Sequence, residues 1–175
     1  DKSLRLIKLA KEKNCVLMVG HVYVHHPAVQ TLKRIIDSGE MGNILYVYSQ
    51  RSAPGPIRNT DEINVLWDLA PHDISILLYL FEKEPTHIKG FASNFLNRNI
   101  IDSASFRLDF GNTITETHVR WLDAEKIRRI TIIGDKKIAI FDDLDEAKLK
   151  IYDMSVSFDG NRAKIIDRGF VIPTL

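Results

Sequence analysis

Apolar residues recur at helical spacing over residues 2 to 13, where Leu4, Ile7, Ala10 and Lys11 share a stripe between charged neighbours and Asn14 supplies a stop. Cys15 to Val19 is an unbroken apolar run closing at Gly20, which after an amphipathic helix predicts a buried parallel strand. A polar connector, His21 to His26, leads to Pro27, a residue suited to a first helical turn. The helix it opens carries Val29, Leu32, Ile35 and Ile36 on one face and ends at Gly39. Ile44 to Arg51 reads as a strand, and Ser52 to Asn64, with two prolines and a glycine, as a long loop of the kind that usually serves function. A second strong helix spans Asp68 to Phe81, with Ala70, Ile74, Leu77, Leu78 and Phe81 as its core stripe. Beyond Thr86 the period changes to two. Strands are predicted near 87–95, 103–110, 113–121, 127–133, 137–142, 148–152 and 164–172, joined by short turns such as Phe110-Gly111-Asn112 and Gly134-Asp135. Consecutive strands with short turns make an antiparallel sheet, so the expected class is α+β: two helices on one face of a large, mainly antiparallel sheet. Its other face would need covering, and association through that face is the simplest solution.

Composition narrows this picture. At 175 residues, 45% hydrophobic and 27% charged, the chain has the make-up of one globular domain. A net charge of +1, without a concentrated basic face, argues against nucleic-acid or membrane partners. The single cysteine, Cys15, excludes a disulfide framework and reads as a buried thiol in a reducing compartment. No apolar stretch approaches the roughly 20 residues that span a bilayer, and no signal peptide is visible, so the expected location is the cytoplasm. The chain opens on Asp1 inside a helical pattern and stops at Ile172-Pro173-Thr174-Leu175, and both ends read as cuts through a longer protein.

Chemistry concentrates in Trp67-Asp68-Leu69-Ala70-Pro71-His72-Asp73-Ile74-Ser75. Asp68 and His72 are four apart, neighbours on a helix face, and the line continues through Ser75 and Tyr79. A histidine titrating near neutrality, with a carboxylate to fix its tautomer, suits proton exchange with an alcohol undergoing oxidation. The same spacing is equally that of an aspartate capping a helix beside a structural histidine, and spacing alone does not separate the two.

This segment resembles the Asp-x-x-x-His signature of the glucose–fructose oxidoreductase / inositol dehydrogenase (Gfo/Idh/MocA) family, and more loosely the fuller pattern Asp-x-Gly-x-His-x-x-Asp. Ala70 stands where that pattern has glycine, and Ser75 where it ends in aspartate. The likeness continues in Val16 to His21, similar to the family's junction between its last Rossmann strand and second domain. It continues again in the helix before Met41-Gly42-Asn43-Ile44, and in Ile130 to Gly134 with Lys136 to Phe141. The resemblance implies a substrate-binding domain with a sheet like the C-terminal domain of glyceraldehyde-3-phosphate dehydrogenase. On that reading residues 1–20 are the last helix and strand of a dinucleotide-binding domain, and residues 21–175 form the substrate-binding and oligomerisation domain, truncated at its C-terminus. It implies His72 as general base and Asp68 as its partner in substrate contact. It further implies NAD or NADP held mainly by a domain outside this sequence, which contains neither a Gly-x-Gly-x-x-Gly loop nor a Glu-Lys-Pro turn. Such a fragment is not expected to turn over alone.

His21, Tyr23 and His25 occupy the connector that in this family borders the nicotinamide and the substrate. Tyr23 and His25 are therefore substrate candidates, and His21 a candidate for the nicotinamide edge, against the alternative of ordinary joint residues. Three histidines without a cysteine or carboxylate at ligand spacing make a poor metal site, and none is expected. Arg51, Arg58 and Asn64 flank the long loop, and arginine forks suit a diphosphate. With Pro54-Gly55-Pro56 they resemble the branch acting on nucleotide sugars, with Arg58 and Asn64 as substrate candidates. Trp67 and Trp121 read as packing residues, and Asp142-Asp143 with Asp145-Glu146 as a solvated turn. The expected function is an NAD(P)-dependent oxidoreductase of a sugar, cyclitol or nucleotide sugar, acting as a homo-oligomer. The rival is a binding or dimerisation module that keeps the fold without the chemistry.

Overall fold

The structure, a computed structural model, describes residues 2–54, 63–96 and 99–175. Arg58 and the Gly55-Pro56 pair lie outside them.

Four α-helices are described: α1 (Lys2–Glu12), α2 (Pro27–Asp37), α3 (Val65–Asp68) and α4 (Ala70–Phe81). The strands are β1 (Ile44–Ser52), β2 (His87–Ser93), β3 (Ser103–Phe110), β4 (Thr113–Arg120), β5 (Ile127–Gly134), β6 (Ile138–Asp142), β7 (Leu149–Asp159) and β8 (Arg162–Val171). Among the described residues they form one eight-stranded sheet in the order β2-β3-β4-β1-β5-β6-β7-β8. The α+β expectation holds. Every neighbouring pair is antiparallel except β1 with β4, so β1 enters the middle of the sheet and brings its side chains to the centre of the fold. The β7–β8 hairpin runs further than the alternation suggested, because polar residues such as Ser155 and Ser157 occupy β7 where an apolar period was sought.

Alternation of side chains assigns the two faces. Val47 of β1, Leu108 and Phe110 of β3, Ile130 and Ile132 of β5, and Phe141 of β6 pack against Val29 and Leu32 of α2 and Ile76, Leu77 and Leu80 of α4. This is the main core. On the opposite face the register places Tyr46, Ile133, Ile138, Tyr152 and Phe170 in one row across five strands.

The turn into β1 explains one short motif. Gly42 sits at φ +71°, and a Cβ there would collide with the Asp135 carboxylate, so glycine is required twice over. Asp135 accepts hydrogen bonds from the Asn43 backbone N–H and side-chain amide at 3.0 and 2.8 Å. The Met41-Gly42-Asn43-Ile44 run therefore locks the end of α2 to the β5–β6 hairpin.

Two expectations fail. Cys15 to Val19 has no regular structure and joins no strand among the described residues, and Val16 is 96% exposed. A parallel strand is made by neighbours on both sides, and none is present to bury it; Cys15 is consequently an exposed thiol rather than a buried one. The second correction concerns α4, whose buried residues are Ala70, Asp73, Ser75, Ile76, Leu77 and Leu80. Ile74 and Phe81 are only half-buried and Leu78 is exposed. Ala70 and Leu77 of the expected stripe are buried, and the buried face extends from them toward Asp73, Ile76 and Leu80. Asp73 faces the sheet, where it meets the buried Arg51, while Ile74 packs at the edge of the core.

Candidate active site

Pro71 shapes the site. It lacks the N–H that would bond the carbonyl of Trp67, so the helix begun at Val65 ends at Asp68 and a new one starts at Ala70. Leu69 bridges them, and Pro71 occupies the first turn of α4, where its missing N–H costs nothing. Asn64 caps the short α3, its side-chain oxygen accepting from the Trp67 N–H at 3.1 Å. Asp68 and His72 thus lie on either side of a helix break rather than on one continuous face.

Asp68 does not touch His72 through a hydrogen bond. Its Oδ2 accepts instead from the indole Nε1–H of buried Trp121, at 3.0 Å, just beyond the end of β4. The polar line through Ser75 and Tyr79 also separates. Ser75 donates back to the His72 carbonyl at 2.9 Å, and Tyr79 packs against the main core.

His72 is fixed from a different direction. Tyr23, in the 3-10 turn Val22–His25, meets it edge-on, with ring centroids 5.2 Å apart and planes at 71°. The Arg51 guanidinium lies over the Tyr23 ring, 4.5 Å from its centroid. Arg51, from the end of β1, is itself paired to Asp73 of α4, Nε to Oδ2 at 2.5 Å, with both side chains almost wholly enclosed. The Tyr23 hydroxyl donates to Asp143 Oδ2 at 3.1 Å, and the same carboxylate oxygen accepts from Arg128 Nη1 of β5 at 2.8 Å. Tyr23 is therefore held on its face, at its hydroxyl and along its ring by three different elements.

The electrostatics follow from this enclosure. Burial lowers the His72 pKa below its ordinary 6.5, and the cations Arg51 and Arg128 push it the same way, against the pull of Asp68. At neutral pH His72 is thus a neutral imidazole. Its Nδ1 is buried and has no hydrogen-bond partner. Burial also pushes the Asp73 carboxyl up, opposed by Arg51. Burial acts upward on Asp143 as well, but hydrogen bonds from Arg128 and Tyr23 outweigh it and hold that carboxyl below the usual range.

A groove of about 1120 Å³ opens on the other flank of α4. Its walls are mainly apolar, with Ile74 and Leu78 of α4 facing Ile88 and Phe91 of β2 and Phe106 of β3. His21 and Ser75 also line it, whereas His72 and Asp68 do not.

The sequence candidates are therefore sorted by position. His72 and Tyr23 come together, and Asp68 is held nearby by Trp121. His21 borders the groove and contributes to the field at His72. His25 ends the 3-10 turn with its side chain exposed. Asn64 serves as a helix cap, and Arg58 lies outside the described residues. Asp142 and Asp143 are not a solvated turn: Asp142 is buried and bonded to Arg129, and Asp143 anchors Tyr23. Trp67, read as packing, is 77% exposed at the groove mouth. The buried pair Arg51–Asp73 was not legible as a pair, since its members are 22 residues apart and each has an ordinary surface composition around it.

Comparison with known proteins agrees with this architecture. Residues 29–140 match the model of the GFO/IDH/MocA C-terminal domain. A UDP-N-acetylglucosamine 3-dehydrogenase from Acidithiobacillus ferrooxidans is 30% identical over 148 residues, which are 84% of this chain and 45% of that protein. The solved structure of such a dehydrogenase from that organism superposes with a TM-score of 0.69 at 27% identity, covering 93% of this chain and 50% of the other. An inositol dehydrogenase homolog from Azotobacter vinelandii, solved with NADH and myo-inositol, shares the fold at TM-score 0.73 and 16% identity, covering 94% of this chain and 45% of that one. The chain spans about half the length of the relatives it matches. It belongs to the GFO/IDH/MocA family and has the fold of that family's C-terminal domain.

Proposed function

We propose that this chain is the substrate-binding part of a nicotinamide-dependent oxidoreductase that acts on a nucleotide-linked sugar, with His72 as the general base and Asp68 as a substrate contact. The observation that carries the reading is the setting of His72. It stands at the start of α4, four residues from Asp68, with the Tyr23 ring edge-on against it at 5.2 Å, in a chain of this family. Relatives that are sugar dehydrogenases, one of them solved with NADH and UDP-GlcNAcA, support the substrate class.

The chain's own residues have separable tasks. Nδ1 of His72 is sheltered, so Nε2 is the nitrogen left to take the proton from a sugar hydroxyl as its carbon is oxidised. Trp121 holds one oxygen of Asp68 and leaves the other for a sugar hydroxyl. A bound nicotinamide, NAD or NADP, supplies the hydride acceptor or donor. The residues here fit its edge at His21 and not its phosphates, because the sequence has no glycine-rich phosphate loop. Residues 1–20, with an amphipathic helix and an exposed, unpaired apolar run, fit the end of the domain that would hold it. On this reading the chain alone is inactive. The apolar row Tyr46, Ile133, Ile138, Tyr152 and Phe170 would join two copies in a cytoplasmic homo-oligomer.

The test is an assay of the complete polypeptide with NAD or NADP and a panel of UDP-sugars. We expect reduction of the nicotinamide with at least one of them. His72→Ala should then lower turnover by about two to four orders of magnitude. A loss below tenfold removes His72 from the role. Absence of both turnover and cofactor binding would favour a non-catalytic ligand-binding or dimerisation module instead.

A further inference from the structure

We infer that Arg51 and Asp73 are positioning residues for His72: their enclosed ion pair holds the Tyr23 ring in the place from which that ring fixes the imidazole. The inference rests on His72 being the base, and it assigns a task to two residues that the chemistry itself does not require.

Several elements converge here. Asp73 follows His72 on α4, so its side chain leaves the helix about 100° further round and points into the sheet. There it meets Arg51, the last helix-facing side chain on β1, at 2.5 Å. The pair is enclosed to the point that Asp73 is 0% and Arg51 2% exposed. Enclosing two charges is costly, and hydrophobic residues of equal volume commonly stabilise a fold as well or better. Tying α4 to β1 is therefore a weak reason for this arrangement, since the leucines and isoleucines around it already do so.

The remaining face of the guanidinium gives a better one. Its Cζ lies over the Tyr23 ring, 4.5 Å from the centroid, where a cation gains from the ring's negative face. Tyr23 then presents its ring to His72 at 5.2 Å. The second support of Tyr23, the Asp143 carboxylate bridged to Arg128, fixes only its hydroxyl end and leaves the ring free to pivot. Arg51 closes that freedom. The groups facing His72 are His21 just before the 3-10 turn and Tyr23 within it, Arg51 from β1, Asp68 from α3 and Arg128 from β5, with Asp73 beside it on α4 and Asp143 behind Tyr23. Of the charges among them, Arg51 and Arg128 act against protonation of the imidazole and Asp68 acts for it. Losing Arg51 therefore has two readable consequences: a looser ring and a histidine easier to protonate.

The experiment uses nuclear magnetic resonance on the 175-residue chain, following the His72 Cε1–H signal, assigned with His72→Gln, through a pH titration. Contacts between the Tyr23 and His72 rings are read in the same samples. Arg51→Gln/Asp73→Asn replaces the ion pair by two amides that can still bond each other, so neither position leaves a lone buried charge. Arg51→Lys keeps the cation and loses the guanidinium that spans Asp73 and Tyr23. We expect the double variant to move the His72 midpoint up toward the ordinary histidine value and to lose most of the ring-to-ring signal. Arg51→Lys should weaken the ring signal while keeping much of the low midpoint. A merely structural pair would move neither. If the folded variants keep both the wild-type midpoint and the wild-type ring contact, the inference is overturned. The readout needs no turnover, so it stands or falls apart from the sugar oxidation assay, in which His72→Ala decides the catalytic reading alone.

Discussion

The two flanks of α4 solve different problems with one twelve-residue helix. On one flank His72 and Asp73 enter a network in which Tyr23, Arg51, Arg128 and Asp143 are each held by named partners from separate elements. On the other flank Ile74 and Leu78 line an apolar groove against β2 and β3 with little polar chemistry. The contrast shows that the buried face of this helix carries a charge pair beside its apolar residues. Apolar periodicity selects Ala70, Ile74, Leu77, Leu78 and Phe81; Ala70 and Leu77 are buried as it requires, Leu78 is exposed, and Asp73 and Leu80 join the buried face. The partner of Asp73, Arg51, arrives from a strand placed centrally by its parallel pairing with β4.

The largest expected effect breaks the polar flank. Arg51→Met leaves the Asp73 carboxylate enclosed without its partner, and removal of one member of a buried pair costs about 3–5 kcal/mol. Urea unfolding followed by circular dichroism measures it. A loss under about 1 kcal/mol would mean the pair is wetter and looser than its enclosure indicates.

A smaller effect is expected at Trp121, which supports Asp68 from outside the helix. Trp121→Phe retains much of the buried ring but removes the donor at 3.0 Å, for a stability cost of about 0.5–1.5 kcal/mol. On the proposed function, the same change in the complete polypeptide should lower sugar affinity more than it alters the pH dependence of turnover. A change in pH profile without loss of affinity would place Asp68 beside the base instead of the substrate.

His72 sets a weaker, pH-dependent contribution with a definite sign. Its native pKa lies below the unfolded value of 6.5, chiefly through burial. The unfolded chain therefore binds a proton that the folded one resists, and stability falls as pH drops from about 6.5 through the native value. The full contribution is present above that window. Comparing urea midpoints at pH 7.5 and 5.5, His72→Gln should show a shallower decline than the wild type. An equal decline would assign the slope to other groups.

How far the sequence reaches is visible at particular residues. The eight strands were legible because alternation and short turns are local properties, as in Phe110-Gly111-Asn112, where Gly111 takes φ +70°. His72 and Asp68 were legible through a family pattern. The break between them was also written locally, in Pro71, although the pattern suggested a continuous face. What stayed hidden depends on contacts distant in sequence: Arg51 with Asp73, Tyr23 with Asp143 across 120 residues, and Trp121 with Asp68 across 53. A tryptophan or an acidic turn has no local mark of the partner it will meet. Cys15 to Val19 failed for the complementary reason, since an apolar run states a need for neighbours without supplying them.

The smallest expected effect is the sharpest test of the helix orientation. If the apolar stripe were the core face, Leu78 would be enclosed, and its replacement by glutamine would cost on the scale of buried leucine truncations, about 2–5 kcal/mol. In the structure Leu78 is 38% exposed at the groove, its helix propensity is close to that of glutamine, and the expected change is about 0.5 kcal/mol or less. Leu77→Ala on the neighbouring position, fully enclosed in the main core, should show the large cost instead. Adjacent leucines with such different costs would place Leu78 at the open edge of the buried face and Leu77 inside it. Equal and large costs at both would mean that the groove flank is covered in solution, and that its open walls are the seat of a further packed segment.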